Sequence, residues 1–226
     1  MHTRWTGCGT ALVTPFTTEG KLDEASVTRL ARRQIDRGVH FLVPCGTTGE
    51  SPSLSHTEKV RVTELVVKEA NGQVPVLAGA GSYDTQAAVT LVADMAQAGV
   101  DGVLSVTPFY NKPTQEGLYR HFETIANSTD LPVVLYNVPS RTGCNIQPAT
   151  LQRLASIPNI VGIKEASGNL LQMCEICQSI PDDFSVLAGD DAFTLPLIAL
   201  GGHGVISVVA NETPAEMASL VDLATA

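Results

Sequence analysis

The sequence predicts one closed (β/α)8 barrel over residues 1–226, and two observations support this prediction. Short β-branched runs alternate with helix-period segments along the whole chain, and there are eight such runs. Their starts lie 19 to 33 residues apart, close to the roughly 30 residues of a strand–helix–strand unit. No proline-rich or serine-rich linker interrupts the pattern, so eight units fill a single barrel domain.

The strands must be parallel, because each helix returns the chain to the same edge of the sheet. In chain order, the predicted strands are Gly9–Val13, Phe41–Cys45, Val74–Ala78, Gly102–Val106, Pro132–Tyr136, Ile160–Lys164, Ser185–Ala188 and Gly204–Val209.

The intervening helices carry start signals. Ser55 and Glu58 have the spacing of a capping box, and Thr213 and Glu216 repeat it with Pro214 at the first helical position. Asp84 is predicted to cap the helix that follows the third strand. That helix is expected to face the sheet with an apolar stripe formed by Val89, Val92, Ala93 and Ala96.

The composition excludes several classes of protein. The chain has 14 Lys+Arg against 23 Asp+Glu, a net charge of −9, which argues against a nucleic-acid binder. No apolar stretch approaches the ~20 residues of a membrane span, and the apolar run at 11–13 is too short for a secretory signal core. We therefore expect a cytoplasmic protein without membrane or nucleic-acid partners.

The cysteines are five in number, which argues against a disulfide framework. Cys174 and Cys177 have metal-ligand spacing but lack a second pair of ligands nearby, so no metal site is predicted. The glycines of 79–81 resemble the start of a dinucleotide fingerprint, yet Asp84 occupies its sixth position, and no nucleotide cofactor is predicted.

The active site of such a barrel lies at the carboxyl ends of its strands, and Lys164 ends the sixth strand. Burial at the mouth of an apolar barrel lowers the pKa of an ammonium group and frees the amine to form a Schiff base. The alternative is a structural lysine paired with Glu165 or another carboxylate. Position alone leaves both interpretations open.

Three hydroxyl groups fall near the same edge, those of Tyr136, Thr47 and Tyr110. Schiff-base chemistry needs several proton transfers, which hydrogen-bonded hydroxyl groups can carry. Half-buried packing tyrosines and a simple turn at Thr47-Thr48 are the alternatives. Arg141 follows the fifth strand, where its planar fork suits a substrate carboxylate, although a solvated loop arginine is common.

Four segments in register resemble the dihydrodipicolinate synthase family over residues 7–226. They are CGTTGES at 45–51, TPFYNKP at 107–113, LYNVPSRTG at 135–143 and GIKEASG at 162–168. The resemblance implies that Lys164 forms a Schiff base with pyruvate, which then condenses with L-aspartate 4-semialdehyde to give 4-hydroxy-tetrahydrodipicolinate for lysine and diaminopimelate synthesis. It implies no cofactor.

The same resemblance assigns further roles. Tyr136, Thr47 and Tyr110 would form the proton relay, with Tyr110 reaching into the site of a neighbouring subunit, so a homodimer or homotetramer is expected. The substrate-binding residues implied are Thr48 for the pyruvate carboxylate, Arg141 for the aldehyde substrate's carboxylate, and the backbone of Gly189 and Ile206.

Two features depart from the family pattern. The usual C-terminal helical domain is expected to be absent, because the sequence ends at Ala226 within the eighth unit. Ala87 and Lys59 stand where lysine-inhibited relatives carry a glutamate and a histidine, and Phe109 replaces a tyrosine. An added cation and a lost carboxylate repel lysine, so weak or absent lysine feedback is expected.

Other functions remain open. N-acetylneuraminate lyase and the 2-keto-3-deoxy sugar acid aldolases share the lysine and tyrosine of this chemistry, whereas Thr47-Thr48 and Ser140-Arg141 favour the synthase. A catalytically silent barrel that binds a keto acid is the alternative from a different class.

Overall fold

A computed structural model describes residues 5–226, in which eight parallel strands alternate with helices. The strands are β1 (Gly7–Ala11), β2 (Phe41–Val43), β3 (Leu77–Gly79), β4 (Gly102–Val106), β5 (Val133–Asn137), β6 (Ile160–Glu165), β7 (Ser185–Ala188) and β8 (Gly204–Ser207). Each predicted strand is present, although β1 begins two residues earlier than expected and β3 three residues later.

The sheet closes into a barrel. Its hydrogen-bonded order runs β2-β1-β8-β7-β6-β5-β4-β3. The two ends of this order meet at a parallel bridge between Leu42 and Val76. The Leu42 amide donates to the Pro75 carbonyl at 3.0 Å and the Gly79 amide to the Pro44 carbonyl at 2.9 Å. The predicted (β/α)8 barrel is therefore confirmed.

The helices pack around the outside of the barrel. They are α1 (Glu24–Asp36), α2 (His56–Ala70), α3 (Thr85–Gln97), α4 (Gln115–Ala126), α5 (Pro139–Thr142), α6 (Pro148–Leu154), α7 (Leu170–Ser179), α8 (Thr194–Ala199) and α9 (Pro214–Thr225). Across residues 5–226, no helix is both long and apolar enough to cross a membrane.

Two of the three predicted helix caps are confirmed. Ser55 and Glu58 form the capping box of α2, and the Asp84 side chain accepts from the Ala87 amide at the start of α3. The Thr213 side chain makes no capping bond, although Pro214 does occupy the first position of α9. The chain enters α9 from a tight 3-10 turn and leaves Thr213 outside the extended conformation that capping side chains favour.

The predicted apolar stripe of α3 was wrong by one position. Val92 is buried and Val89 is partly buried against the core, as expected, whereas Ala93 and Ala96 face solvent. The face that packs on the barrel comprises Ala88, Leu91, Val92 and Met95. It has the same helical spacing, but burying Leu91 and Met95 removes more apolar area from water than burying alanines.

Strand alternation divides the interior into two layers. One layer fills the barrel and includes Phe41, Leu104, Tyr136 and Ile206, with Trp5 packed edge-on against Phe41 at 5.3 Å between ring centroids. The larger layer lies between the strands and the helices. Because successive strand residues point to opposite faces, a residue that enters the barrel is followed by one that enters the outer layer.

Gly79 lies where β3 meets β2 at the closure of the barrel, and a Cβ atom added there would lie 2.1 Å from the Cys45 carbonyl oxygen. We expect Gly79→Ala to lower the free energy of unfolding by about 2 kcal/mol, because the backbone of β2 must move. Denaturant unfolding measures this loss. Gly46→Ala is the control, since an added Cβ there meets nothing within 4 Å. Equal stability of the two variants would contradict the prediction.

Candidate active site

Lys164 lies inside the barrel at the carboxyl end of β6. It is 4% exposed and pairs in strand register with Tyr136 of β5. Its Nζ atom lies 4.4 Å from the centroid of the Tyr136 ring. The ammonium group therefore rests on an aromatic face, which stabilises a cation less than water does.

The pKa of Lys164 is lowered from 10.5 to about 8, mainly by burial; the negative charge of Asp191 opposes this shift and the positive charge of Arg141 adds to it. Among residues 5–226, no carboxylate forms an ion pair with this lysine. The alternative of a structural pair with Glu165 is therefore wrong. The fraction of neutral amine near neutral pH is larger than for an exposed lysine, as nucleophilic attack requires.

Asp191 is an electrostatic neighbour of Lys164 that the sequence analysis missed. It follows β7, and its carboxylate accepts from the Ser207 hydroxyl at 2.5 Å and from the amides of Val208 and Val209 at 3.1 and 3.2 Å. These bonds hold it at the end of β8, on the same rim as Lys164. Its place three residues after the end of β7 is the signal by which the sequence could have identified it. Asp190 caps the short 3-10 turn that follows.

Tyr136 and Thr47 meet at this rim. Burial raises the pKa of Tyr136, while hydrogen bonding by the Thr47 side chain and the charge of Arg141 lower it. Thr47 and Thr48 also form a tight turn, in which the Gly49 amide donates to the Gly46 carbonyl at 3.2 Å. The turn and the relay are thus compatible, since the turn presents the Thr47 side chain to Tyr136.

A cavity of about 500 Å³ opens at this end of the barrel. Thr47, Tyr136 and Arg141 line it, and it extends to Lys59 and His56. The residues that line it include no Asp or Glu. A chain of net charge −9 thus presents a carboxylate-free pocket to an anionic ligand.

Arg141 lies in the short helix α5, directly after β5, and is exposed. Among the described residues it forms no ion pair, so its guanidinium fork faces the cavity unpaired by any carboxylate. An unpaired arginine in a concave site suits bidentate recognition of a carboxylate.

The remaining predicted substrate contacts lie close by but outside the cavity lining. Gly189 packs against Lys164, because a Cβ atom added to it would lie 3.1 Å from the lysine Cγ and Cε atoms. Ile206 is fully buried in the inner layer with Tyr136, and Thr48 is half-buried beside Thr47. Lys164 itself does not line the cavity and meets solvent only through its small exposed fraction.

Tyr110 is not brought to this site. It is 91% exposed, and Phe109 lines the cavity in its place. Tyr110 and Lys112 have φ angles of +74° and +45°, which residues with side chains rarely adopt. The segment thus holds the Tyr110 ring away from its own barrel, so a relay within one subunit lacks its third member.

No group of three or more His, Cys, Asp or Glu residues in the described part of the chain is arranged to hold a metal ion. All five cysteines are free thiols. Burial raises the pKa of Cys8 to about 12 and that of Cys45 to about 11, so both are held as neutral thiols.

Comparison with known proteins identifies relatives along almost the whole chain. The model of the "Dihydrodipicolinate synthetase family" matches residues 4–226. The 4-hydroxy-tetrahydrodipicolinate synthase of Koribacter versatilis is 53% identical over 216 residues, which cover 95% of this chain and 72% of that protein. The chain therefore spans about three quarters of this relative.

Solved structures agree with the sequence matches. Dihydrodipicolinate synthase from Aquifex aeolicus superimposes with a TM-score of 0.95 at 45% identity, covering 97% of this chain and 75% of that one. A monomeric dihydrodipicolinate synthase variant superimposes with the same TM-score at 44% identity, covering 97% and 74%.

Because Lys164 is buried away from water, we expect the free energy of unfolding to depend on pH. Below pH 8 the lysine is protonated in both folded and unfolded chains, and the buried charge costs about 3 kcal/mol. Between pH 8 and 10.5 the folded chain releases the proton while the unfolded chain keeps it, so this cost fades as pH rises. We expect Lys164→Met to be more stable than the parent at low pH, with an advantage that shrinks over this window.

Denaturant unfolding of both proteins at pH about 7 and about 10 measures the difference. Lys68→Met, at an exposed lysine, is the matched control and should produce no comparable trend. An advantage of Lys164→Met that stays constant across the window would contradict the assigned desolvation.

Proposed function

The chain belongs to the dihydrodipicolinate synthetase family, and from this premise we propose that it acts as a 4-hydroxy-tetrahydrodipicolinate synthase through a Schiff base at Lys164. The reaction condenses pyruvate with L-aspartate 4-semialdehyde, in the synthesis of diaminopimelate and lysine. The observation that supports it most strongly is the buried amine of Lys164, which lacks a carboxylate partner in the described residues and contacts the Tyr136 ring.

The reaction begins with attack of the neutral Lys164 amine on the keto carbon of pyruvate. The new C–N bond forms as the carbonyl oxygen takes up a proton, and loss of that oxygen as water leaves the protonated imine. The imine withdraws electrons from the neighbouring methyl group, which loses a proton and becomes a carbon nucleophile. This carbon bonds to the aldehyde carbon of the second substrate, whose amine then cyclises onto the imine carbon and releases Lys164.

Tyr136 and Thr47 carry the protons in these steps. Tyr136 lies next to the Lys164 ammonium, and the Thr47 side chain hydrogen-bonds to the Tyr136 hydroxyl. A phenol with a perturbed pKa, held beside the reacting nitrogen, is placed to give and retrieve protons. General acid–base groups of this kind contribute about 10²–10⁴ in rate.

The carboxylates of the substrates bind around this centre. Arg141 takes the carboxylate of the aldehyde substrate, because it is the unpaired fork on the cavity wall. Thr48 holds the pyruvate carboxylate, and the backbones of Gly189 and Ile206 line the space around Lys164. The close packing of Gly189 on the lysine stem supports this arrangement.

Tyr110 completes the relay of a second copy of the chain, so the active form is a homodimer or homotetramer. The support for this is its 91% exposure together with the strained backbone that presents it. The exposed Tyr110 and the incomplete site are both explained if, in a symmetric dimer, the Tyr110 side chain of each subunit enters the site of the other.

We place the enzyme in the cytoplasm, which the five free thiols support. Weak lysine feedback stays a prediction. Lys59 and Ala87 line the same cavity as Tyr136, where a cation disfavours a second one.

Reductive trapping tests the Schiff base. We expect borohydride with pyruvate to attach a three-carbon adduct to Lys164 and to abolish activity, because reduction makes the C–N bond permanent. Mass spectrometry of the peptide that contains residue 164 detects the adduct, and Lys164→Arg is the unlabelled control. Absence of the adduct in the parent protein would refute the mechanism.

The second substrate separates the synthase from the aldolases that share this lysine. We expect product only when L-aspartate 4-semialdehyde is added to the pyruvate-loaded protein. Cleavage of N-acetylneuraminate or of a 2-keto-3-deoxy sugar acid at a comparable rate would instead support the aldolase alternative. Adduct formation without turnover of any of these substrates would support the silent barrel.

Complementation tests the role of Tyr110 across subunits. Tyr110→Phe and Lys164→Met are each expected to lose at least about 10²-fold in kcat. Mixed oligomers of the two should regain activity, because one site in each pair then holds both the native lysine and the native tyrosine. Mixtures as inactive as their parents would contradict the exchange of Tyr110.

A further inference from the structure

Each inward-facing site residue on β5 and β6 is followed by a polar residue on the outer face. Tyr136 pairs with Lys164 in register, and the next pair is Asn137 with Glu165. Asn137 and Glu165 are both fully buried between the barrel and its helices. The proposed reaction uses only the inner pair, Tyr136 and Lys164. The buried carboxylate of Glu165, directly behind the lysine, has no role in it.

Every hydrogen-bond partner of the Glu165 side chain donates to it. The Ser167 amide donates to its Oε1 atom at 2.7 Å. The side-chain amides of Asn137 and Gln172 donate to its Oε2 atom at 2.9 and 3.4 Å. No cation pairs with it among the described residues, so neutral donors alone stabilise the group.

Burial raises the pKa of Glu165, whereas its three hydrogen-bond donors lower it. In its ionised form the carboxylate only accepts, and this sets the direction of its neighbours. Asn137 must turn its NH2 group toward Glu165, so its Oδ1 atom faces away and accepts from the Ile146 amide at 3.0 Å. Gln172 must do the same, and its Oε1 atom accepts from the Asn145 side chain at 2.8 Å. The Ile146 and Ser167 amides are backbone donors that cannot reverse, so the pattern is consistent at both ends.

These hydrogen bonds hold together the two ends of the chain segment that carries Arg141. The segment leaves β5 at Asn137, passes through α5 and returns at Ile146. There the Ile146 amide donates to the Asn137 side chain. Asn145, one residue earlier, accepts from Asn137 at 2.8 Å and exchanges two bonds with Gln172. The outgoing and returning ends of the Arg141 segment are therefore held through side chains that Glu165 and the Ile146 amide orient together.

We propose that Glu165 is a positioning residue for the second substrate, acting through Asn137 and Asn145 to hold the Arg141 segment against the cavity. The proposal rests on the proposed function, since it assumes that Arg141 binds the aldehyde substrate's carboxylate. Pyruvate binding at Lys164 does not depend on it.

Glu165→Gln tests the direction of the network at almost constant volume. The new NH2 group replaces one of the two acceptor oxygens, so it faces either the Ser167 amide or the side-chain amides of Asn137 and Gln172. Either orientation sets donor against donor and removes at least one bond of the network. In the second orientation, an Asn137 that turns to compensate faces the Ile146 amide with its own NH2 group. We expect the KM for L-aspartate 4-semialdehyde to rise about tenfold, the loss of one buried charge-assisted hydrogen bond. Borohydride trapping of pyruvate at Lys164 should remain near the parental level.

Glu175→Gln is the matched control, because it removes the same charge from an exposed position of α7. It should leave both measurements at the parental level. An unchanged KM in Glu165→Gln would overturn the proposal, as would an equal loss of pyruvate trapping and aldehyde binding. Failure of the proposed function is distinguishable, because the parent protein itself would then show no adduct.

Two further variants keep the test decisive. If Glu165→Gln does not fold, Asn145→Ala removes the half-buried centre of the network and should raise the same KM without loss of trapping. If it folds, combining it with Arg141→Ala forms a double-mutant cycle. We expect the KM effect of Glu165→Gln to vanish in that background, whereas undiminished additivity would mean that Glu165 does not act through Arg141.

Discussion

The desolvated amine of Lys164 is the constraint on which the rest of the site depends. Its pKa is lowered to about 8, with burial on the Tyr136 ring as the largest cause and two nearby charges acting in opposite directions. Arg141 adds to the shift and Asp191 opposes it. A carboxylate paired directly with the lysine would hold its charge and remove the nucleophile, so the structure keeps the nearby carboxylates engaged elsewhere.

Strand geometry explains why those carboxylates form hydrogen bonds with other groups and not an ion pair with Lys164. Glu165 is the next residue after Lys164 and therefore points out of the barrel, where amide donors surround it. Asp191 lies on the rim, but its oxygens bind the end of β8. The barrel thus holds a buried lysine inside, whereas Glu165 lies outside it and Asp191 is bound to the end of β8, and neither forms an ion pair with the lysine in the described residues. The same alternation links the chemistry on the inner face to the support on the outer face.

Local signals in the sequence predicted much of the architecture. The β-branched runs located the strands to within three residues, since buried parallel strands are apolar on both faces. The capping box of α2 formed as expected because it depends only on residues four apart or closer. The orientation of α3 and the cap at Thr213 were wrong, because neighbouring elements decide which face is buried and how the chain enters a helix.

For the site, the sequence by itself determined which groups to propose, because strand ends and the family resemblance together point to Lys164, Tyr136, Thr47 and Arg141. Only the tertiary structure decided how these groups are charged and supported. The pKa of Lys164 depends on burial and on Arg141 and Asp191, which are distant along the chain. The outward position of Tyr110, and the network that joins Glu165 to the Arg141 segment, arise from contacts between separate strands and loops. Such long-range contacts leave no local pattern in the sequence, and for this physical reason only the tertiary structure could decide them.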